Sequence, residues 1–469
     1  MQLLSIGFDD TDSRQGMCTT YLAYKVVDFL LKQKAKFVDH PLLIRLNPNI
    51  PWKTRGNGAV ALRIEVDNIE KIVEGVRALV EQNSHLGIGA NPGLVFYVGE
   101  KIPDSIREFA ERALYDVLSR KKALEVANAN GVKCYTLGNG MGIVGALAAV
   151  GTQLEQDHTF EIIVYRKEQS CGKPRALSKG NVIAMSEQTY PNTYNNYDYK
   201  HERVLISPHG PDPIFCGIRG EDPNIVLQAF LMLDVAEELE GYMVFRTNHG
   251  TNMHLAHQFD LSNLKTYTSG HITGTVDGEP YVITGGHTFF KIRNDLGSAL
   301  CAVYEPTGLS NLAAKLCNED VIEIGGGVRK ATSKHPTVIN VEYIQILKLT
   351  KKFEYLNPLC KVCSKRMKSE GKKKGYQCEH CGFKDPKAQK ITVELPREIK
   401  EGLYVPVPKA HRHLTKPLQR YGMEKKECKL NLNSNWFCKL VAGGGLSGES
   451  YTRLLLNHRS VGILPIWLE

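Results

Sequence analysis

Asp9, Asp10 and Asp12 crowd into four positions of "GFDDTDSRQGMCTTYLA" (Gly7 to Ala23), and Thr19 and Thr20 follow a few residues later. Carboxylates this close repel one another unless a cation lies between them. Magnesium is a hard ion that takes oxygen ligands and bridges nucleotide phosphates, so the three acids suit a magnesium–nucleotide site. Free N–H groups at a helix start attract phosphate. A hydroxyl there, on Thr19 or Thr20, would lie within reach of a phosphoryl group. The same residues also suit a plain turn followed by ordinary first-turn positions. No Walker motif occurs, so a nucleotide site here is of another kind.

A second stretch, "LIRLNPNIPWKTRGNGAV" (Leu43 to Val60), carries Arg45, Lys53 and Arg55 beside the turn Gly56, Asn57 and Gly58. Fixed positive charge next to flexible backbone complements magnesium on the phosphate side. Taken alone, the "RGNG" turn also reads as a hairpin. The run "GNGMGIVGALAAVG" (Gly138 to Gly151) lets a helix approach either a ligand or another element closely. Farther along, Cys360, Cys363, Cys378 and Cys381 form two Cys-x-x-Cys pairs separated by fourteen residues. Each pair turns two sulfurs toward one ion, the spacing of a four-thiolate zinc ribbon. The other reading, two redox pairs, has nothing thioredoxin-like around it.

The elements that must position these groups follow from periodicity. Leu3 to Phe8 reads as a buried strand, and Met17 to about Lys34 as a helix with Leu22, Val26, Phe29 and Leu30 on one face. Val60, Leu62, Ile64 and Val66 alternate with Ala61, Arg63 and Glu65 as a half-buried strand. Helices are expected near Ile69–Gln82 and Ser105–Ala127. A second α/β stretch has strands at Phe160–Tyr165, Arg203–Ser207 and Tyr242–Thr247 and a helix at Asn224–Glu240, an order that suits a ferredoxin-like unit. Five short strands between Lys265 and Leu349, with one helix at Leu309–Leu316, fit an OB-type barrel. The fold class is therefore multidomain α+β. The expected units are 1–157, 158–262, 263–350, a zinc ribbon with a basic tail over 351–422, and an extension over 423–469.

The 469 residues, 42% hydrophobic and 8% aromatic, describe a folded protein of several domains. No apolar run reaches the ~18 residues of a membrane helix, and Met1–Phe8 is too short for a leader. No membrane partner is expected, and the chain should be cytoplasmic. Lysine and arginine total 59 against 50 acids, a modest excess whose distribution matters more than its sum. The eight cysteines outside the ribbon should be reduced thiols.

In order, "GFDDTDSRQGMCTTYLA", "LIRLNPNIPWKTRGNGAV", "GALAAVG", "YPNTYNNYD", "GIRGE", "TNHGTNMH" and "GGHTFF" closely resemble the archaeal isoleucine-tRNA 2-agmatinylcytidine (agmatidine) synthetases, the TiaS family. The likeness runs to about Gly422, with Asn252 standing where members carry Asp. It implies an ATP-dependent ligase that replaces the carbon-2 oxygen of the wobble cytidine of the CAU-anticodon isoleucine tRNA with agmatine, so that AUA codons are read. It further implies a kinase-like catalytic domain over 1–157, phosphorylation of Thr19, and service of Asp9, Asp10 and Asp12 to magnesium and phosphoryl transfer.

Agmatine carries a guanidinium and an amine, so its pocket needs carboxylates or aromatic faces. Asp198, flanked by Tyr194, Tyr197 and Tyr199, and Glu221 are candidates, though either also suits a surface loop. The wobble base must leave its stack, and an OB-type barrel offers a platform for unpaired RNA. Lys365, Arg366, Lys368, Lys372, Lys373 and Lys374, within the ribbon, form a basic knob for RNA phosphates. Lys409, Arg412, Lys416 and Arg420 are expected to extend it. Beyond Gly422 the segment has no recognised counterpart and reads as an appendage open to disorder. Two rivals stand beside the synthetase: a non-catalytic tRNA-binding protein, which has no use for the acid loop, and a small-molecule kinase, which has none for the basic ribbon.

Overall fold

A computed structural model of the chain describes residues 1–13, 16–53, 56–333, 336–428 and 432–440. Arg55 and the "GGGLSGES" stretch lie outside the described residues. The chain opens with β1 (Gln2–Asp9), α1 (Thr19–Lys32), β2 (Lys36–Phe37), β3 (Leu42–Arg45) and β4 (Gly58–Val66). It continues with α2 (Ile69–Asn83), β5 (Gly93–Val98), α3 (Asp104–Ala113), α4 (Arg120–Ala129), β6 (Lys133–Thr136) and α5 (Ile143–Gly151). β1 runs antiparallel between β4 and β5, with Leu4 opposite both Ile64 and Val98. Helices α1 and α2 cover one face and α3 to α5 the other, so β4 is buried on both sides where Ala59 and Ala61 meet α5. The helix expected over Ser105–Ala127 is two. Ser119 caps α4 by accepting from Lys122 N, and buried Leu114 and Leu118 keep the apolar period running across the break.

The second stretch has β7 (Thr159–Arg166), α6 (Lys179–Thr189), β8 (Thr193–Tyr194), the small β9 (Tyr197–Asp198) and β10 (Arg203–Val204) pair, β11 (Ile214–Gly220), α7 (Pro223–Leu231) and β12 (Leu239–Thr247). Its sheet strands lie in the order β12-β7-β11-β8. Expected Arg203–Ser207 shrinks to two residues of β10, while β11 takes the place beside β7. The expected Asn224–Glu240 helix ends at Leu231, because Leu239 already pairs with Arg166; sheet pairing overrides the helix propensity of the acidic stretch before it. β3 runs parallel to β12, with Arg246 opposite Leu42, and this contact merges both stretches into one 11-stranded sheet. The sheet thus crosses position 157.

β13 (Ser269–Val282), β14 (Thr288–Asn294), β15 (Gly297–Val303), α8 (Ser310–Ala313), β16 (Val321–Arg329) and β17 (Val338–Lys348) make a barrel, closed where β15 meets β17 in parallel. Ile272, Ile292, Ile324, Ile339 and Ile344 fill it. β18 (Lys352–Leu356) leads to the ribbon strands β19 (Lys368–Ser369), β20 (Tyr376–Gln377) and β21 (Lys384–Asp385), and β22 (Ile391–Leu395) returns antiparallel to β18. β23 (Gly402–Tyr404) joins the barrel edge at β17. Among the described residues no helix is long and apolar enough to cross a membrane.

The described part of the extension is ordered into the main sheet, contrary to the expectation of an appendage. β24 (Phe437–Lys439) pairs with β12 at Gly241–Met243, the half of that strand edge that β3 leaves open. Trp436 packs on Phe37 with ring centroids 4.8 Å apart, Phe437 on Tyr24 at 5.1 Å, and Lys439 Nζ reaches Asp28 at 2.6 Å. Trp436→Ala is expected to destabilise the protein by about 3 kcal/mol in denaturant-unfolding curves. An unchanged midpoint would show that the strand is a passive passenger.

Candidate functional site

Asp9 ends β1 in the middle of the sheet, with Oδ1 accepting from Asp10 N at 2.7 Å. Asp10 turns the chain in the left-handed region (φ 57°). Gly145 of α5 lies so close that a Cβ there would strike the Asp9 carboxylate. Asp9, Asp10 and Asp12 line a cavity of about 360 Å³. Burial first and Asp10 second push Asp9 up to about 8. Burial and then Asp12 push Asp10 up to about 7. An all-oxygen donor set that must otherwise hold protons is relieved by a hard divalent cation, so these residues fit magnesium.

Thr19 is the first residue of α1, and its Oγ1 accepts from Thr11 Oγ1 at 3.1 Å. The N-cap residue Cys18 makes no side-chain cap, which leaves backbone N–H groups available at this end. Thr20 differs: its Oγ1 lies 3.1 Å from Cys18 Sγ, and its carbonyl accepts from Tyr165 OH at 2.8 Å. Both threonines line the cavity.

Arg45, Lys53, Gly56, Asn57 and Gly58 line the same cavity. Leu46 N donates to Asn57 O, closing the β3–β4 connection as a hairpin loop with Asn57 left-handed (φ 50°). A Cβ at Gly56 or Gly58 would come within 2.7 Å or 2.6 Å of Arg45 Nη1, so the glycines give room for that guanidinium. The hairpin and cation readings of this segment therefore hold together.

The second half of the sheet contributes further groups, of which the sequence reading missed Glu161 and Arg219. Arg45 Nε donates to His249 Nε2 at 2.6 Å, and His249 Nδ1 lies 3.1 Å from Glu161 Oε2. Arg219 Nε donates to the other oxygen of Glu161 at 3.1 Å, and Arg219 Nη2 to His413 Nδ1 at 2.8 Å. Burial alone would raise Glu161, but His249, Arg219 and Arg45 hold it well below the usual carboxylate range. Burial drives His249 down to about 3, so it stays neutral and accepts from Arg45. Glu161, Asp116 and Asp212 are further carboxylates of the cavity. Glu161 carried a readable signal, the one carboxylate inside the apolar strand "TFEIIVYR"; Asp212, in a proline-rich turn, carried none.

Asp198 and Glu221 are not brought to this cavity. Asp198 accepts from His201 N at 3.0 Å and Lys409 N at 3.1 Å. Glu221 is held by Arg420 and, at 2.9 Å, by Lys425. Arg420 is fully buried between Asp157 and Glu221, and Lys416 is buried beside Glu424, so neither extends a basic surface. Lys365, Arg366, Lys368, Lys372, Lys373 and Lys374 are exposed on the ribbon, with Lys368 paired to Glu379. Arg412 donates to Asn49 Oδ1 and Glu342 Oε1, both at 3.0 Å. The two histidines of "TNHGTNMH" part company, since His254 Nε2 meets Glu342 at 3.0 Å.

In the ribbon the close sulfur contacts run across the two pairs: Cys360 to Cys381 at 3.5 Å and Cys363 to Cys378 at 3.4 Å. All four Sγ atoms lie within 4.8 Å of one another. That is a tetrahedral thiolate set, near the roughly 3.8 Å edge implied by Zn–S bonds of about 2.3 Å, and it does not match two redox pairs.

With these groups in place, a curated relative from Cenarchaeum symbiosum (strain A), the isoleucine-tRNA 2-agmatinylcytidine synthetase TiaS, is 41% identical over 419 residues, 89% of this chain and 93% of the relative. The chain belongs to the TiaS family. The namesake from Archaeoglobus fulgidus is 39% identical over 89% of this chain and 98% of its own. Family models for the TiaS TCKD domain match residues 5–67, for the TiaS FLD domain 140–254, and for the TiaS C-terminal zinc ribbon domain 357–399. A crystal structure of TiaS in complex with its isoleucine tRNA and ATP superposes with a TM-score of 0.80 at 38% identity, covering 90% of this chain and 98% of that one. A complex of TiaS with the same tRNA, AMPCPP and agmatine does so at 0.78 and 36%, covering 90% and 98%. The TiaS architecture here is mixed α/β and multidomain, with a β-barrel and a zinc ribbon.

Denaturing the purified protein in a zinc-sensitive dye should release about one zinc per chain, and Cys378→Ser should lower that yield to near zero. A full yield from the variant would remove the ribbon as the zinc site. Gly145→Ala, which displaces Asp9, is expected to weaken manganese binding at least tenfold by electron paramagnetic resonance.

Proposed function

We propose that the chain is an ATP-dependent ligase acting on the wobble cytidine of the CAU-anticodon isoleucine tRNA, where it exchanges the carbon-2 oxygen for agmatine. The observation that carries this reading is one cavity bordered by Asp9, Asp10, Asp12 and Thr19 together with Arg45, Lys53 and the Gly56–Gly58 turn, in a family whose members have been crystallised with an isoleucine tRNA, ATP and agmatine. Arg55 belongs to the same set by sequence.

A ring carbonyl oxygen leaves poorly. ATP gives a phosphoryl group to that oxygen; the primary amine of agmatine then attacks carbon-2 and loses a proton, the carbon–oxygen bond breaks, and the oxygen departs as phosphate. Asp9, Asp10 and Asp12 would hold magnesium, which when bound would neutralise and align phosphate oxygens. Arg45 and Lys53 stabilise the charge that builds on the transferred group. Thr19 Oγ1, at the uncapped start of α1, accepts a second phosphoryl group from the nucleotide, which leaves as AMP, and water then releases that group as phosphate. Agmatine is a dication that carboxylates attract; Asp116 and Asp212 line the cavity but already meet Arg112 and Arg175, and Asp198 and Glu221 lie outside it. Zinc, held by Cys360, Cys363, Cys378 and Cys381, keeps the ribbon folded so that its basic knob grips the tRNA body. The work is cytoplasmic, where tRNA is.

At the level of domains, the β12-β7-β11-β8 order is 4-1-3-2 in chain order, which supports a ferredoxin-like unit, and the closed five-strand barrel supports an OB-fold. Residues 1–157 carry the kinase-like chemistry.

Nucleosides from isoleucine tRNA incubated with ATP and agmatine should contain 2-agmatinylcytidine by mass spectrometry. Thr19→Ala and Asp12→Ala should each lower its rate by ~100-fold or more. ATP turnover indifferent to tRNA would instead support a small-molecule kinase, and tRNA binding without turnover a passive binder.

A further inference from the structure

Helix α1 carries Thr19 at its first position, and one stripe of that helix is gripped from outside the site. Tyr21, Tyr24 and Asp28 follow one another at i, i+3 and i+7, so they share a face. Tyr21 OH donates to Glu240 Oε2 at 2.6 Å, and Tyr24 OH donates to Glu240 O at 3.1 Å. Burial raises both phenols far above their ordinary range, so both remain donors. Glu240 is in turn held by the extension, since Leu440 N donates to the same carbonyl at 2.9 Å. Next to it, a Cβ at Gly241 would strike both Cys438 O and Tyr24 OH. β12, β24 and α1 therefore meet at one point that leaves no room for a side chain. Phe437 on Tyr24 and Lys439 on Asp28 carry the grip down the helix.

None of these residues lines the acid-lined cavity, so any work they do on the reaction goes through α1. At the site itself, Thr11 Oγ1 meets Thr19 Oγ1 and Tyr165 OH meets Thr20 O. Those bonds tie the start of the helix to the acid loop and to β7, and the Glu240 bonds tie the turns that follow. We propose that β24 and Glu240 form a positioning clasp for Thr19, setting how far α1 advances toward the acid loop. This rests on the reading above that Thr19 accepts a phosphoryl group. Transfer between oxygens is sensitive to placement, and a shift of about 1 Å can cost ~100-fold in rate. β24 lies beyond Gly422, where the resemblance to the family ends, so the clasp belongs to the extension and not to the shared motifs.

The test uses full-length Phe437→Ala, Phe437→Tyr and Tyr21→Phe, with Thr19 phosphorylation followed by mass spectrometry and amide hydrogen exchange read along α1. Phe437→Ala should slow Thr19 phosphorylation about tenfold, with the KM for ATP within about twofold of wild type. Exchange in α1 should rise about tenfold, while α3, on the opposite face of the sheet, stays within about twofold. Phe437→Tyr keeps the ring and should restore both. Tyr21→Phe loses only its bond to Glu240, so it should slow the rate in the same way and answers even where Phe437→Ala melts early. A Thr19 rate unchanged in Tyr21→Phe, or slowed only together with a raised KM for ATP, overturns the proposal. So does a rise in exchange that is equal in α1 and α3. Wild-type protein that never carries phosphate on Thr19 would defeat the reading of the site, and exchange in α1 would still decide the clasp.

Discussion

Glu161 stands buried between Arg219 and the His249–Arg45 pair, and it ties three distant parts of the chain to one carboxylate. Arg45 comes from β3, Glu161 from β7 and His249 from the turn after β12, so the ion cluster sits where the two halves of the sheet meet. Taking away one partner of such a buried set leaves uncompensated charge, at a cost of about 3–5 kcal/mol. The cluster therefore does two things at once. It fastens the parallel β3–β12 seam, and it fixes the direction of a guanidinium that borders the cavity.

Close backbone approach is the second constraint. α5 lies against the end of β1 because Gly142 and Gly145 carry no side chain; a Cβ at Gly142 would meet Asp9 O and Gly93 N at 2.5 Å. That contact presses the acid loop between a helix and a strand. The glycine-rich run is thus explained by packing that in turn shapes the acid site, so its two sequence readings describe one arrangement.

Local signals were legible and distant ones were not. The acid loop, the cation turn, the four cysteines and the five barrel strands are each written in short local stretches; the acid loop and the turn border one cavity, save Arg55, which lies outside the described residues, and the four sulfurs converge. The single sheet across residue 157 was hidden, because β3 and β12 pair over some two hundred positions and each strand reads only as apolar. Asp198 and Glu221 look available in a string of letters, yet the string does not say that His201 and Arg420 already hold them. Arg420 reads as surface charge for the same reason. Composition reports that a residue is charged, and only the fold reports whether that charge is spent.

β24 adds a consequence for how the molecule is made. An unpaired strand edge is a site for mistaken pairing, and the Gly241–Met243 edge of β12 is closed by residues 437–439. On the ribosome that edge stays bare until residues 437–439 have followed β12 by nearly two hundred positions. The sheet that houses the acid loop is therefore sealed long after its own strands are made, by the segment that reads least like part of it.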